Sequence, residues 1–200
     1  MKTVFITGGI GSGKSEVCRY LAWQGIPVYD SDRETKSLYD RDPDLTGRLS
    51  AALGIPLRDG DGRLDRGRLA ALVFRNPAAL ETLEGIVHPA VRDDFIAWRE
   101  RQDGSVPFVV MESAIAAEKP LFRDLADKVV RVEAPEAVRL SRAAARDGVS
   151  PEAIRARMKN QPTDNQLLPI DYILRNDGTL DELHAAADRL LAALSEDFRA

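Results

Sequence analysis

Gly8-Gly9-Ile10-Gly11-Ser12-Gly13-Lys14-Ser15 decides the reading of this 200-residue chain. The stretch fits G-x-x-x-x-G-K-[ST] without a gap, and both flanks supply the context that this pattern needs. Upstream, Thr3-Val4-Phe5-Ile6-Thr7 is a short apolar run rich in β-branched residues, which predicts a buried strand. Downstream, Glu16 to Gln24 carries Val17, Tyr20, Leu21 and Trp23, which predicts one packed face of a helix. Strand, glycine loop and helix start together present a row of backbone N–H groups and a positive helix end to an anion. Gly9, Gly11, Ser12 and Gly13 are the expected backbone cradle. Lys14 is expected to reach the β- and γ-phosphates of a nucleoside triphosphate, and the Ser15 hydroxyl to ligate Mg²⁺.

Beyond the loop, Gly25-Ile26-Pro27-Val28-Tyr29 predicts a turn and a second strand, ending at Asp30-Ser31-Asp32. Helical patterning then runs from about Arg33 to Arg101. It is broken by the Arg58–Gly62 turn and by Asn76-Pro77 and His88-Pro89, each read as a helix start. Pro107 to Met111, with Glu112 at its end, and Lys128 to Val132 predict two more strands. Pro135 heads a further helix, and Ser150-Pro151-Glu152 opens another with a good N-cap. Tyr172-Ile173-Leu174 is the last expected strand, and Thr179-Leu180-Asp181-Glu182 a capping box. Strands alternating with helices imply an α/β fold: a parallel five-stranded sheet covered on both faces, with a helical insertion. Ligands of such a sheet bind at the carboxyl ends of its strands, where Gly8, Asp32, Glu112 and Asn176 fall.

A net charge of −4 argues against duplex nucleic acid as the main partner, since that needs an extended basic face. Cys18 is the single cysteine, so no intramolecular disulfide is possible and a reducing, cytoplasmic setting is expected. Its place in the first helix suits a small buried hydrophobe. No signal peptide is expected, and no apolar run approaches the roughly 20 residues of a membrane span. A monomer or a weak homo-oligomer is expected.

A glycine loop alone does not separate a kinase from a GTPase or a motor ATPase. Two carboxylates after the second strand are more telling, because phosphoryl transfer to an alcohol needs a group that orients the hydroxyl and takes its proton. Asp32 suits that role. Asp30 is read either as catalytic or as a cap or support. GTPase base-reading motifs are absent, as is the long apolar run ending in an Asp-Glu pair that a motor ATPase wants. Arg139, Arg142 and Arg146 share one helix face, with Arg155, Arg157 and Lys159 on the next helix. Arg142 and Arg146 are read as lid arginines that neutralise charge on the transferring group. Glu112 has three readings: a water of the Mg²⁺ shell, the substrate, or the phosphate loop. His88 is read as either a cap or packing residue or a substrate contact. His184 is expected to be structural, and Trp23 and Trp98 to pack in the core.

These residues bring a family into view. The chain resembles dephospho-coenzyme A kinase along nearly its whole length, through Thr7 to Ser15, Gly25 to Asp32, His88-Pro89, Arg139 to Gly148, Arg157 with Gln161, and Asp171 to Gly178. The resemblance implies transfer of the ATP γ-phosphoryl group to the ribose 3′-hydroxyl of dephospho-coenzyme A. It implies Asp32 as base and Arg142 as lid arginine, with Lys14 beside them. Gly11 to Ser15, with Glu16 following, make the ATP loop, and Asn176 with Gly178 borders adenine. Asp30, Lys36, His88 and Glu112 fall on the substrate side. A nucleotide-binding core (1–32 and 105–200), a substrate-binding insertion (33–104) and a lid (139–165) follow from it. Shikimate kinase shares the carboxylate pair, but its substrate-binding glycine triplet is missing here and the insertion is too long for it. A nucleotide-dependent binding switch, the other rival, leaves Asp32 and the arginine pair without a purpose. Four departures stand out: Ala114-Ile115-Ala116-Ala117-Glu118 replaces a bulkier signature usually reading Pro-Leu-Leu-Phe-Glu, Glu16 a hydroxyl residue, Lys36 an arginine, and Arg139 a glutamine.

Overall fold

A computed structural model of the chain describes residues 1–159 and 168–199. Residues 160–165 of the expected lid, Gln161 among them, lie outside the described residues. The chain divides into two compact units, Met1–Asp30 with Arg101–Ala200, and Ser31–Glu100.

The first unit is built on β1 (Lys2–Thr7), β2 (Val28–Asp30), β3 (Phe108–Glu112), β4 (Lys128–Glu133) and β5 (Tyr172–Arg175). They form one sheet in the order β2-β3-β1-β4-β5, every neighbouring pair parallel. The continuous apolar runs of β1 and β3 explain their central places, because a parallel strand covered on both faces has no solvent side. Val4 and Ile6 join the layer formed by α1 (Lys14–Trp23) and α8 (Leu180–Asp197), through Val17, Cys18, Leu21, Leu183, Ala187, Leu190 and Leu194. Phe5, Val109, Met111 and Val129, pointing the other way, are equally buried. Two 3₁₀ turns, Ala116–Glu118 and Pro120–Phe122, follow β3, and the first runs against β1. Each fully buried aliphatic side chain contributes about 1.5–3 kcal/mol, so the alternation along β1 holds the sheet between two layers.

The terminal helix starts as its capping box requires. Thr179 Oγ1 accepts from the Glu182 amide at 3.2 Å, and Glu182 Oε2 accepts from the Thr179 amide at 2.7 Å. That amide holds the Glu182 carboxyl below its usual range. After β4 come α6 (Glu136–Asp147), which Gly148 closes, and α7 (Pro151–Lys159), where Ser150 Oγ accepts from the Ala153 amide.

The second unit is helical throughout: α2 (Ser31–Arg41), α3 (Pro43–Leu53), α4 (Arg66–Val73) and α5 (Pro77–Glu100), with α5 packed on the other three. Asp42 caps α3 and Asp65 caps α4. Asn76 Oδ1 accepts from the Ala78 and Ala79 amides, which makes Asn76-Pro77 the helix start expected of it.

Three expectations are corrected. His88-Pro89 does not start a helix, since Pro89 lies inside α5. Val87, Val91 and Phe95 are buried along one stripe that runs past Pro89, while Pro89 and Gly85 are exposed. The proline removes one donor and frees the Gly85 carbonyl, which water can serve, so packing carries the helix through. Trp23 is 77 % exposed, not core. The buried face of α1 is Val17, Cys18 and Leu21; Trp23 stands about 200° round the helix from Leu21 and meets only the flank, its ring 5.7 Å from that of Tyr20. Finally, the second strand stops at Asp30, and Ser31 and Asp32 are already helical, with Thr35 Oγ1 bonded back to the Ser31 carbonyl. Trp98 is half-buried and stacks on Phe95.

Candidate active site

The phosphate-type loop runs from the end of β1 into α1. Gly13 is the N-cap of α1 at φ +98, a left-handed conformation open to glycine, and a Cβ there would run into the Asn176 amide. The first N–H groups of α1 lack intrahelical acceptors, as at any helix start. Ser12 Oγ is buried and has no hydrogen-bond partner among the described residues. An unspent hydroxyl beside a positive helix end fits a phosphate oxygen.

Lys14, Ser15 and Glu112 meet where β1 passes into α1 beside the end of β3. Ser15 Oγ donates to Glu112 Oε1 at 2.5 Å, and Lys14 Nζ stands 4.0 Å from the same oxygen. Glu112 is 8 % exposed and lies in register with Ile6 on one side and Asp30 on the other. Ser15 spends its hydrogen on Glu112, which leaves the oxygen lone pairs free for a hard cation. Among the described residues no group of three His, Cys, Asp or Glu forms a metal cage. Mg²⁺ is ordinarily held by one or two protein oxygens together with substrate phosphates, and Ser15 with Glu112 suits that pattern. Below them, burial pushes the Cys18 thiol well above its usual pKa, and the Glu112 charge adds to the effect. Cys18 is therefore a neutral packing group, as its position in the sequence suggested.

The arginines of α6 diverge. Arg139 Nε donates to the Ile10 carbonyl at 3.0 Å, and Arg142 Nη1 to the Asn176 carbonyl at 3.0 Å. Arg146 donates through Nε and Nη2 to Asp147, whose carboxylate also takes Arg157 Nη1 at 2.9 Å. Arg146 first and Arg157 second hold the Asp147 carboxyl below its usual range, and Asp147 raises Arg146 in return. Asn176 is 6 % exposed; its amide Nδ2 donates to the Ser12 carbonyl at 2.8 Å and its backbone N–H to the Glu133 carbonyl at 2.7 Å. Gly178 faces the Glu182 carboxylate, which the capping box turns back over it.

The structure therefore gathers Gly9, Gly11, Ser12, Gly13, Lys14, Ser15, Glu112, Arg142 and Asn176 around the loop. Glu16 is not part of that cluster: its carboxylate meets Arg19 at 2.6 Å and His184 at 3.3 Å, and its amide is spent on the Gly13 carbonyl. His184 stacks on Tyr20 with centroids 4.2 Å apart, the structural part expected of it. Asp30 closes β2, and Asp32, exposed, stands in the first turn of α2. Lys36 on α2 is exposed, its carbonyl taking Arg66, and His88 on α5 is half-buried. Ala116 and Ala117, within the shortened signature, are each 2 % exposed. That stretch is packed against β1 and is not open to solvent. Arg139 was not among the expected site residues, although its place one turn before Arg142 on the same helix face was a usable signal.

The comparisons with known proteins agree with one another. The dephospho-CoA kinase family model matches residues 2–182. A dephospho-CoA kinase from Porphyromonas gingivalis is 46% identical over 167 residues, 84% of this chain and 81% of the relative. One from Salinibacter ruber is 39% identical and covers 98% of both chains. Among solved structures, TT1252 from Thermus thermophilus is 34% identical with a TM-score of 0.80, covering 96% of this chain and 97% of the other. The Campylobacter jejuni dephospho-CoA kinase, 24% identical with a TM-score of 0.60 and covering 98% of both chains, shares the fold. With a phosphate loop backed by Ser15, Lys14 and Glu112 on a five-stranded parallel sheet, and with matches over most of its length, the chain belongs to the dephospho-CoA kinase family.

Proposed function

We propose that this protein transfers the γ-phosphoryl group of ATP to the ribose 3′-hydroxyl of dephospho-coenzyme A, giving coenzyme A and ADP. The observation that carries the reading is the Ser15–Glu112 hydrogen bond with Lys14 alongside, in a chain of this family. Lys14 and the loop amides hold the β- and γ-phosphates. Ser15 would hold Mg²⁺ through its free lone pairs, with Glu112 orienting the hydroxyl. A bound Mg²⁺ would supply charge neutralisation on the phosphate oxygens.

Asp32 orients the 3′-hydroxyl and takes its proton as the oxygen bonds to the γ-phosphorus and the bond to ADP breaks. Arg142 and Arg146 exchange their present partners, the Asn176 carbonyl and Asp147, for the equatorial oxygens of the transferring group. The loose transition state asks for positioning and charge rather than covalent help. Asp30, Lys36 and His88 lie on the substrate side, and the helical unit holds the pantetheine-bearing substrate. Gly178 lies in the loop that borders adenine. The reaction needs no membrane, and no helix among the described residues is long and apolar enough to cross one.

The test is ATP consumption measured with dephospho-coenzyme A, with shikimate, and with neither. Stimulation by dephospho-coenzyme A alone is the expected outcome; equal turnover in all three arms would sink the assignment. A second expectation concerns the ion. Glu112→Gln keeps the shape of the side chain but removes the charge behind Ser15. The Mg²⁺ concentration for half-maximal activity should rise about 10- to 100-fold, the usual cost of losing an outer partner of a metal ligand. An unchanged Mg²⁺ titration would leave Glu112 out of the ion's surroundings.

A further inference from the structure

The carbonyls of the phosphate loop are held from outside by two donors on separate elements. Arg139 Nε, on α6, donates to the Ile10 carbonyl at 3.0 Å. Asn176 Nδ2, just past β5, donates to the Ser12 carbonyl at 2.8 Å. In a trans peptide the C=O and the next N–H point to opposite sides of the chain. Fixing the Ile10 oxygen therefore aims the Gly11 N–H away from Arg139, and fixing the Ser12 oxygen aims the Gly13 N–H away from Asn176. Successive N–H groups turned to one side are what an anion nest requires.

We propose that Arg139 and Asn176 are positioning residues that brace the loop from behind and keep its amides turned toward the phosphates. The proposal rests on reading the loop as a nucleotide-phosphate site. Neither residue needs to touch the nucleotide. Gly9 leaves room for the brace, because a Cβ there would run into the Arg139 guanidinium. Gly13 does the same for the Asn176 amide. Asn176 is itself held at both backbone polar groups: its N–H is bonded to the Glu133 carbonyl, and its own carbonyl takes Arg142. The two braces are thereby joined, since Arg139 and Arg142 lie one turn apart on α6. A buried amide held this tightly has one orientation, and it passes that orientation to the loop.

The experiment uses the full-length protein, with inorganic tripolyphosphate and ATP as calorimetric probes and steady-state KM values for both substrates. Gln carries its Nε2 the same number of bonds from Cα as Arg carries Nε, so Arg139→Gln keeps the donor and drops the charge. Arg139→Met keeps the length and has no donor. Asn176→Ala removes the amide, and Asn176→Asp sets an acceptor against the Ser12 carbonyl. Arg139→Met and both Asn176 variants should bind tripolyphosphate and ATP about tenfold more weakly, while the KM for dephospho-coenzyme A stays within about twofold. Arg139→Gln should stay within about twofold of the parent protein. That rescue separates a positioning donor from a cation that meets phosphate directly.

If Arg139→Gln is as impaired as Arg139→Met, or the Asn176 variants bind tripolyphosphate as the parent does, the brace is overturned. If the parent binds tripolyphosphate but leaves dephospho-coenzyme A unphosphorylated, the substrate assignment fails and the brace stands. If the parent does not bind tripolyphosphate, the loop reading and the brace fall together.

Discussion

Lys14→Ala should abolish phosphoryl transfer to dephospho-coenzyme A, with a loss in kcat of at least about 100- to 1,000-fold, the cost of removing one preorganised donor from developing charge. The ammonium of Lys14 is the cation the loop itself supplies to the β- and γ-oxygens, and a backbone nest alone cannot follow charge toward the leaving oxygen. Its surroundings in the structure explain why a neighbour cannot replace it. Lys14 Nζ lies 4.0 Å from Glu112 in a partly buried setting, with its side chain 17% exposed. Arg139 is committed to the Ile10 carbonyl, and Arg142, which starts on the Asn176 carbonyl, is assigned to the equatorial oxygens of the transferring group rather than to the place of Lys14. The measurement is turnover of ATP at saturating dephospho-coenzyme A, with circular dichroism to show that the variant keeps the parental fold. Folded protein retaining a tenth or more of parental kcat would take Lys14 out of its assigned place.

Asp32→Asn should leave ATP affinity close to that of the parent and slow transfer by about 100- to 10,000-fold, the range for losing a positioned general base. Asn keeps the size of the side chain and can still accept a hydrogen bond, but it cannot take a proton. The variant therefore isolates the proton step from substrate orientation. Asp32 is exposed in the first turn of α2, so the substitution should cost no more than about 0.3–1 kcal/mol, which is what an acidic side chain contributes at a helix start. ATP binding by calorimetry and single-turnover transfer are the two readouts. Near-normal transfer would assign the proton to another acceptor, and Asp30, at the end of β2, would be the next residue to change.

Much of the fold was legible because it is written in local rules. The loop from Gly8 to Ser15 places glycine at 8, 11 and 13, where the backbone takes positive φ, and the β-branched runs on β1, β3 and β4 lie within a residue or two of the observed strands. The capping box at Thr179 and the Asn76 cap formed as their short-range hydrogen bonds require. Misreadings arose where a local signal met a longer-range one. Pro89 looks like a helix start by itself, yet the stripe of Val87, Val91 and Phe95 keeps the helix intact around it. Trp23 looks like core by composition, but its angle on α1 turns it to water. Asp32 looked like a strand end because two aspartates follow an apolar run; the helix begins at Ser31, directly after the strand stops at Asp30, and takes Asp32 into its first turn.

The amino-acid sequence by itself determined the class of sheet, the phosphate loop and the chemistry available to it, because strand periodicity, glycine spacing and the charge of Lys14 and Asp32 act over a few residues. Tertiary structure alone decided which groups meet. Glu112 reaches Ser15 across 97 positions, Asn176 reaches Ser12 across 164, and Arg139 reaches Ile10 across 129. Such contacts depend on how strands 3 to 6 residues long are ordered in the sheet and where each connection returns, and no local pattern of residues encodes that return.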